Sequence, residues 1–218
     1  MIVVLLGPPG AGKGTQGERL AASLGVPKIA TGDVLRAAVK AGTPLGLEAK
    51  ACMERGDLVP DSVILGIMKQ ALGAPEQAKG VILDGVVRTV PQAEGLVHVL
   101  KELGRSLDHV LLFNADENEL VTRLSARTVC DACQAPFMGR VPGVIHDGCP
   151  KTPAGHLVRR KDDEPEAIRN RLKVFQEQTA PVLRWYRSHE FTGARVAHVN
   201  ALGAVDLVTQ RMLKALEP

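Results

Sequence analysis

The chain is poor in aromatic residues. One tryptophan, one tyrosine and four phenylalanines occur among 218 residues, too few for the stacking platforms that hold single-stranded nucleic acids. The excess of positive charge is only +3, far from the basic footprint of a nucleic-acid binder. No apolar run approaches the roughly 20 residues that a bilayer crossing requires. The apolar start Met1–Leu6 lacks a basic leader and runs straight into a glycine loop, unlike a secretory signal. The expectation is a soluble, cytoplasmic protein with neither nucleic-acid nor membrane partners. Internal repeats and low-complexity segments are absent as well. Cysteine is scarce, with four in all. Cys52 stands alone on a predicted helix and reads as a small packing residue. The other three fall between Cys130 and Cys149, a cluster that in a reducing compartment suggests metal rather than disulfides.

What is present is a long alternation of strand and helix. With 45% hydrophobic residues, the chain can form one compact domain with an inserted lobe. Ile2–Leu6, Val81–Leu83 and His109–Phe113 are short, uninterrupted apolar runs of the kind found in buried parallel strands. Lys28–Ala30 and Arg195–Val199 read as two further strands. Helices are predicted over 13–24, 34–41, 44–55, 61–71, 91–103, 117–126, 162–187 and 204–216, the seventh capped by Asp162 or Asp163. This pattern predicts an α/β fold with a parallel sheet covered by helices on both faces. Residues 128–158 break it. Pro136, Pro142, Pro150 and Pro153 are spread among glycines and the three cysteines, and no helical period survives, so a small irregular or hairpin-built lobe is expected there.

The most informative segment is Gly7-Pro8-Pro9-Gly10-Ala11-Gly12-Lys13-Gly14-Thr15. It lies between a predicted strand and a predicted helix, the context a phosphate-binding P-loop requires. Gly10, Ala11, Gly12 and Gly14 let backbone N–H groups turn inward around phosphates, and the helix N-terminus adds its positive dipole end. Lys13 reaches the β- and γ-phosphates, and the Thr15 hydroxyl faces phosphate or Mg²⁺. A P-loop NTPase-like sheet is therefore the fold expectation.

The hydroxyl residue comes one place later than in the commonest P-loop, after Gly14. This GxPGxGKGT form resembles nucleoside monophosphate kinases, and the resemblance extends along the whole chain to adenylate kinases of the bacterial type with a long lid. It implies a phosphotransferase that carries out ATP + AMP ⇌ 2 ADP with Mg²⁺. Thr31-Gly32-Asp33-Val34-Leu35-Arg36 resembles the family's TGDxxR segment, in which Thr31 and Arg36 would contact AMP. By themselves these residues are a capped helix with a surface arginine. Asp57-Leu58-Val59-Pro60 matches the segment whose backbone reads the adenine edge. Asp84, at a strand end beside the P-loop strand, suits the positioning of hydrated Mg²⁺. Gly85-Val86-Val87-Arg88-Thr89 corresponds to GFPRT. Gly85 and Arg88 keep their acceptor contacts, and Gln92 keeps its contact to the adenine edge. Val86 and Val87 replace phenylalanine and proline, and the simplest reading is that they repack the pocket wall. Pro136, Phe137 and Gly203 match residues that lie against the donor adenine.

Phosphoryl transfer needs alignment, and cations where charge spreads. The family's arginines match Arg123, Arg127, Arg160 and Arg171, with Arg88 and Arg36 completing the set. The resemblance assigns Arg123 and Arg127 to ATP, Arg160 and Arg171 to AMP, and Lys13 with Arg88 and these four to catalysis. They bracket the inserted lobe, which suits a lid that closes and excludes water. The implied division is a core of residues 1–30, 61–127 and 164–218, a monophosphate-binding lobe of 31–60 and a lid of 128–163, in a monomer.

Cys130-x2-Cys133 is a metal-knuckle spacing, and Cys149 follows after 15 intervening residues. This resembles the zinc-bearing lids of the family, whose second pair is Cys-x2-Cys or Cys-x2-Asp. Here the last position is Thr152, a poor ligand for zinc. His146, Asp147, His156 or water remains for the fourth place in a structural Zn²⁺ site, with His146-x2-Cys149 the soundest spacing. Two other readings of the residues stand: a kinase for GMP, UMP or CMP, and a P-loop module that binds nucleotide without transferring phosphate.

Overall fold

The computed structural model describes residues 1–188 and 193–217. Five parallel strands form the central sheet in the order β2-β3-β1-β4-β8: β1 (Ile2–Leu6), β2 (Lys28–Ala30), β3 (Val81–Asp84), β4 (His109–Asn114) and β8 (Arg195–Asn200). In β1 every residue is buried, which is why its apolar run does not alternate with polar residues. Ile2, Val4 and Leu6 enter one hydrophobic core, and Val3 and Leu5 enter the other, as the two-residue period of a strand dictates.

Helices cover both faces. The first core takes Ile64, Met68 and Leu72 from α4 (Asp61–Leu72) and Ala93, Leu96 and Leu100 from α5 (Val90–Glu102). The second takes Leu20 of α1 (Lys13–Leu24), Leu120 and Leu124 of α6 (Glu117–Ala126) and Met212 of α9 (Val205–Lys214). Two helices, α2 (Thr31–Lys40) and α3 (Pro44–Arg55), pack on each other beside the sheet. Cys52 sits on α3, half-buried and packed against the first core.

The helix expected over 162–187 begins at Pro165 and carries one wide turn in its middle. A 3-10 turn at Lys161–Asp163 is followed by α7 (Pro165–Val174), a π-turn at Phe175–Thr179 and α8 (Ala180–Ser188). Neither Asp162 nor Asp163 caps it; the residue before α7 is Glu164, whose side chain makes no capping bond. The wide turn has a local cause. Pro181 has no N–H to donate inside the helix, and the Ala180 N–H reaches back five residues to the Phe175 carbonyl. The wide turn lets the two halves serve different cores: Ile168 and Leu172 of α7 belong to the second, Val182, Trp185 and Tyr186 of α8 to the first.

The proline-rich segment folds as a three-stranded antiparallel sheet, β6-β5-β7, from β5 (Arg127–Cys130), β6 (Pro136–Met138) and β7 (Leu157–Val158). No helix among the described residues is long and apolar enough to cross a membrane.

Candidate active site

The P-loop leaves β1 at Gly7 and enters α1 at Lys13. Gly12, the residue before the helix, is left-handed at φ 81°, a conformation costly for other residues. No side chain caps α1 and its first turn carries no acid, so its unpaired N–H groups and dipole face the loop unopposed, an anion cradle. Lys13 folds over the loop, donating to the Gly7 and Pro8 carbonyls at 2.8 Å each. Burial lowers its pKa from 10.5 to about 8; Asp84 opposes the shift, and Arg88, Arg171 and Arg127 add to it. Asp84 ends β3 beside Gly14. Its own carboxyl is pushed up by burial, against the pull of Lys13 and Lys28.

A cleft leads from this loop to a second pocket. Lys13, Arg88, Arg171, Gly85, Val87 and Thr179 line the part next to the P-loop. Gly85, Arg88 and Arg171 also line the outer pocket, together with Thr31, Arg36, Asp57, Leu58, Val59 and Gln92. Of the residues expected at the acceptor, only Arg160 lies outside that pocket's lining. The Thr31 hydroxyl donates to the Gly85 carbonyl at 2.8 Å. Gln92 is almost fully buried and already engaged: its Oε1 accepts from the Arg88 N–H at 2.7 Å, and its Nε2 donates to Asp61 at 2.7 Å. Its second amide hydrogen has no partner among these bonds. Val86 and Val87 are both fully buried in the first core, as a repacked pocket wall requires.

The arginines converge on an acidic pair, Asp162 and Asp163, whose place in the sequence suggests only helix caps. Asp163 is 2% exposed. Its carboxylate accepts two bonds from Arg127, at 2.7 and 2.5 Å, and one from Arg171 at 3.0 Å. Arg171 also pairs with Asp162 at 3.1 Å. Burial would raise the Asp162 carboxyl, but Arg171, Arg160 and Arg127 outweigh it and hold the pKa below the usual value. Burial, with repulsion between neighbouring guanidiniums, lowers Arg88, Arg160 and Arg171. Arg88, which reaches solvent through the cleft but lies deep between its walls, falls to about 10 through burial and then repulsion from Arg171. Arg160 falls to about 10 through burial, Arg36 and Arg127. All remain cations at neutral pH. The buried Nε atoms of Arg36 and Arg160 have no hydrogen-bond partner among the described residues. The site is thus a crowd of cations held apart by two carboxylates, an arrangement that a polyanion relieves. Arg123 is placed differently: it bonds Glu119 at 2.8 Å and the Ala201 carbonyl at 3.0 Å, tying α6 to the chain beyond β8. Asp61 and Thr179 carried no signal in the sequence beyond a helix start and an ordinary helical position.

The small sheet holds the cysteines. One donor atom from each of Cys130, Cys133, His146 and Cys149 lies within 4.8 Å of all the others. The Cys130 and Cys149 sulfurs are 3.7 Å apart, and Cys133 Sγ is 3.3 Å from His146 Nδ1. Zn–S bonds of about 2.3 Å in a tetrahedron demand edges of about 3.7 Å, so the set fits zinc, with His146 as fourth ligand. Asp147 and His156 are not in the group. Backbone N–H groups of Gly155 and Lys151 draw the Cys149 pKa down to about 6, and burial pushes Cys133 up. Phe137 meets the His146 ring edge-on at 4.7 Å.

Comparison with known proteins agrees with this geometry. The family model described as adenylate kinase matches residues 5–191. The adenylate kinase of Gemmatimonas aurantiaca is 67% identical over 217 residues, covering 99% of each chain. That of a Geobacter species is 45% identical over 221 residues, again 99% of each. The Brevibacillus brevis enzyme is 45% identical over 190 residues, 87% of this chain and 89% of its own.

Proposed function

The chain belongs to the adenylate kinase family, and from that premise we propose how its own residues carry Mg²⁺-dependent transfer of a phosphoryl group from ATP to AMP. The observation that carries the proposal is the unbroken cleft between Lys13 and Gln92, with Arg88 and Arg171 lining both of its parts. The triphosphate lies on Gly10–Thr15 under Lys13, and AMP lies against Thr31, Arg36, Asp57–Val59, Gly85 and Gln92. Arg88 and Arg171 meet the phosphate of AMP from the shared segment of the cleft. Bound with ATP, Mg²⁺ neutralises phosphate charge, and Asp84 would hold it through water.

No general base is needed. Transfer between two nucleotides requires alignment and cations around the moving group. Arg123, Arg127 and Arg160 supply cations from the base of the inserted sheet, with Pro136, Phe137 and Gly203 against the donor base. Residues 128–163 act as a lid whose closure excludes the water that would hydrolyse ATP. Residues 31–60 act as the acceptor lobe, and the rest is core. The Cys130, Cys133, His146 and Cys149 set gives the lid a structural zinc site, which stands in for the hydrophobic core that so small a lobe lacks. The working form is a monomer in the cytoplasm, with nucleotides as its only partners.

Arg88→Ala is the cleanest test. Among the described residues its side chain bonds the Gly85 carbonyl alone, at 3.2 Å, so the fold should survive while the transfer rate falls about 10²- to 10⁴-fold. Arg127→Ala should lower the rate similarly and also cost stability, because Asp163 loses its two-point partner. Wild-type rates in a folded Arg88→Ala protein would contradict the assignment.

A further inference from the structure

The Gly85–Thr89 segment carries Arg88 into the cleft, and it contains no proline. Val86 and Val87 do not fix φ as a proline would. Its conformation is held by hydrogen bonds from three directions. Thr31 donates to the Gly85 carbonyl at 2.8 Å. Asp61 accepts from the Thr89 hydroxyl at 3.0 Å and from Gln92 Nε2 at 2.7 Å, and Gln92 in turn accepts the Arg88 N–H. The third tie comes from far along the chain: the Thr179 hydroxyl donates to the Arg88 carbonyl at 2.8 Å. Arg88 is thereby gripped on both sides of its own Cα, at its N–H and at its C=O.

The helix widens to a π-turn where this third tie is made. Thr179 closes the π-turn at Phe175–Thr179. The turn falls where the helix passes from one core to the other, and there Phe175 and Thr179 line the cleft beside Lys13 and Arg88. An extra residue per turn is the usual mark of a helix bent to present a side chain at a site. Thr179 is 4% exposed, and its branched Cβ restricts the hydroxyl to few orientations.

We propose that Thr179 is a positioning residue for phosphoryl transfer: through the Arg88 carbonyl it fixes where the Arg88 guanidinium meets the acceptor. The proposal rests on the assignment of Arg88 to the AMP phosphate. Reacting groups displaced by about 1 Å can lose a factor of 10² in rate, and a buried carbonyl stripped of its donor shifts to find another.

The test is a double-mutant cycle on the full chain, with kcat and KM for each substrate and thermal unfolding for every variant. Thr179→Val removes the donor and keeps the shape. It should lower kcat/KM for AMP about 10- to 100-fold and leave KM for MgATP within about two-fold. Thr179→Ser, which keeps the hydroxyl, should recover kcat/KM to within about three-fold of wild type. In an Arg88→Ala background, Thr179→Val should add less than about two-fold, because its effect passes through Arg88. If Thr179→Val does not fold, Thr179→Ala takes its place in the same cycle. The proposal is overturned if the donor-less variant keeps wild-type AMP kinetics while Arg88→Ala is impaired. Equal damage to both substrates, absence of rescue by serine, or additivity with Arg88→Ala would overturn it too. If Arg88→Ala itself leaves AMP kinetics intact, the assignment of Arg88 fails first and takes this proposal with it.

Discussion

Replacing Asp163 with asparagine perturbs the charge balance at the base of the lid with almost no change of shape. The wild-type carboxylate is inaccessible to solvent, while Arg127 and Arg171 are each 17% exposed. It accepts three charge-assisted bonds, between 2.5 and 3.0 Å. The asparagine keeps one acceptor oxygen but turns an amide NH₂ toward guanidinium donors, and the negative charge is gone. Orphaning a buried charge in this way costs roughly 3–5 kcal/mol. Asp162 still pairs with Arg171, so the lower end applies, about 3 kcal/mol. At about 2–4 °C per kcal/mol for a chain of this length, the midpoint should fall by roughly 6–12 °C. Calorimetry with and without a bisubstrate analogue, two adenosines joined through phosphates, provides the assay. The analogue's phosphates replace the missing negative charge, so it should raise the midpoint further in Asp163→Asn than in wild type. A fall below about 2 °C, matching a pair worth under about 1 kcal/mol, would refute the view that this carboxylate balances the arginines.

Other perturbations follow from the same geometry. Lys13 titrates near pH 8 when no phosphate is bound. Below that pH it is charged both free and bound, so affinity for MgATP should be flat; above it binding must restore the proton, and affinity should fall by up to about tenfold per pH unit. Titration calorimetry across pH 7–9.5 in buffers of different ionisation heat should detect this uptake, and its absence at pH 9 would count against a lysine depressed by burial. Protein purified without a histidine tag should carry about one equivalent of zinc; less than a tenth would end the metal proposal. His146→Ala should weaken the metal's retention against a chelator and change the absorption spectrum of the cobalt-substituted protein. Gly46→Ala sets two effects against each other. Alanine favours the helix by about 1 kcal/mol, but its Cβ would lie 2.2 Å from the Ala38 carbonyl oxygen, a backbone atom that cannot step aside. The clash should win, lowering the midpoint by several degrees and raising KM for AMP; a stabilised protein would show that α2 and α3 can separate freely.

Much of this could be read in the sequence, for physical reasons that differ from part to part. β1 is solid Ile-Val-Val-Leu-Leu because it is buried on both faces, and that run leads directly into Gly7–Thr15, where glycine, lysine and hydroxyl have fixed offsets. The cysteine spacing and the choice of His146 were legible because metal knuckles are local. The π-turn was not: a helical period runs through Phe175–Thr179 unbroken, and only Pro181 hints that the hydrogen-bond ladder must shift. The partners of Asp163, Asp61 and Thr179 were beyond reach for another reason. Except for Arg171 to Asp163, these bonds span a long stretch of chain, from Arg127 to Asp163 or from Arg88 to Thr179, and such pairings leave no spacing to detect. Reading Asp163 as a cap was reasonable locally, but the buried arginines have the stronger claim on it.

The central claim is that one cleft holds two nucleotides and passes phosphate to AMP. The most direct measurement is steady-state transfer from MgATP to AMP, GMP, UMP and CMP in parallel, following both nucleoside diphosphates. Rapid formation of two ADP for each ATP and AMP consumed is expected, with kcat/KM for AMP far above that for the other three. Activity confined to UMP or CMP, or tight ATP binding with no transfer to any of the four, would contradict it.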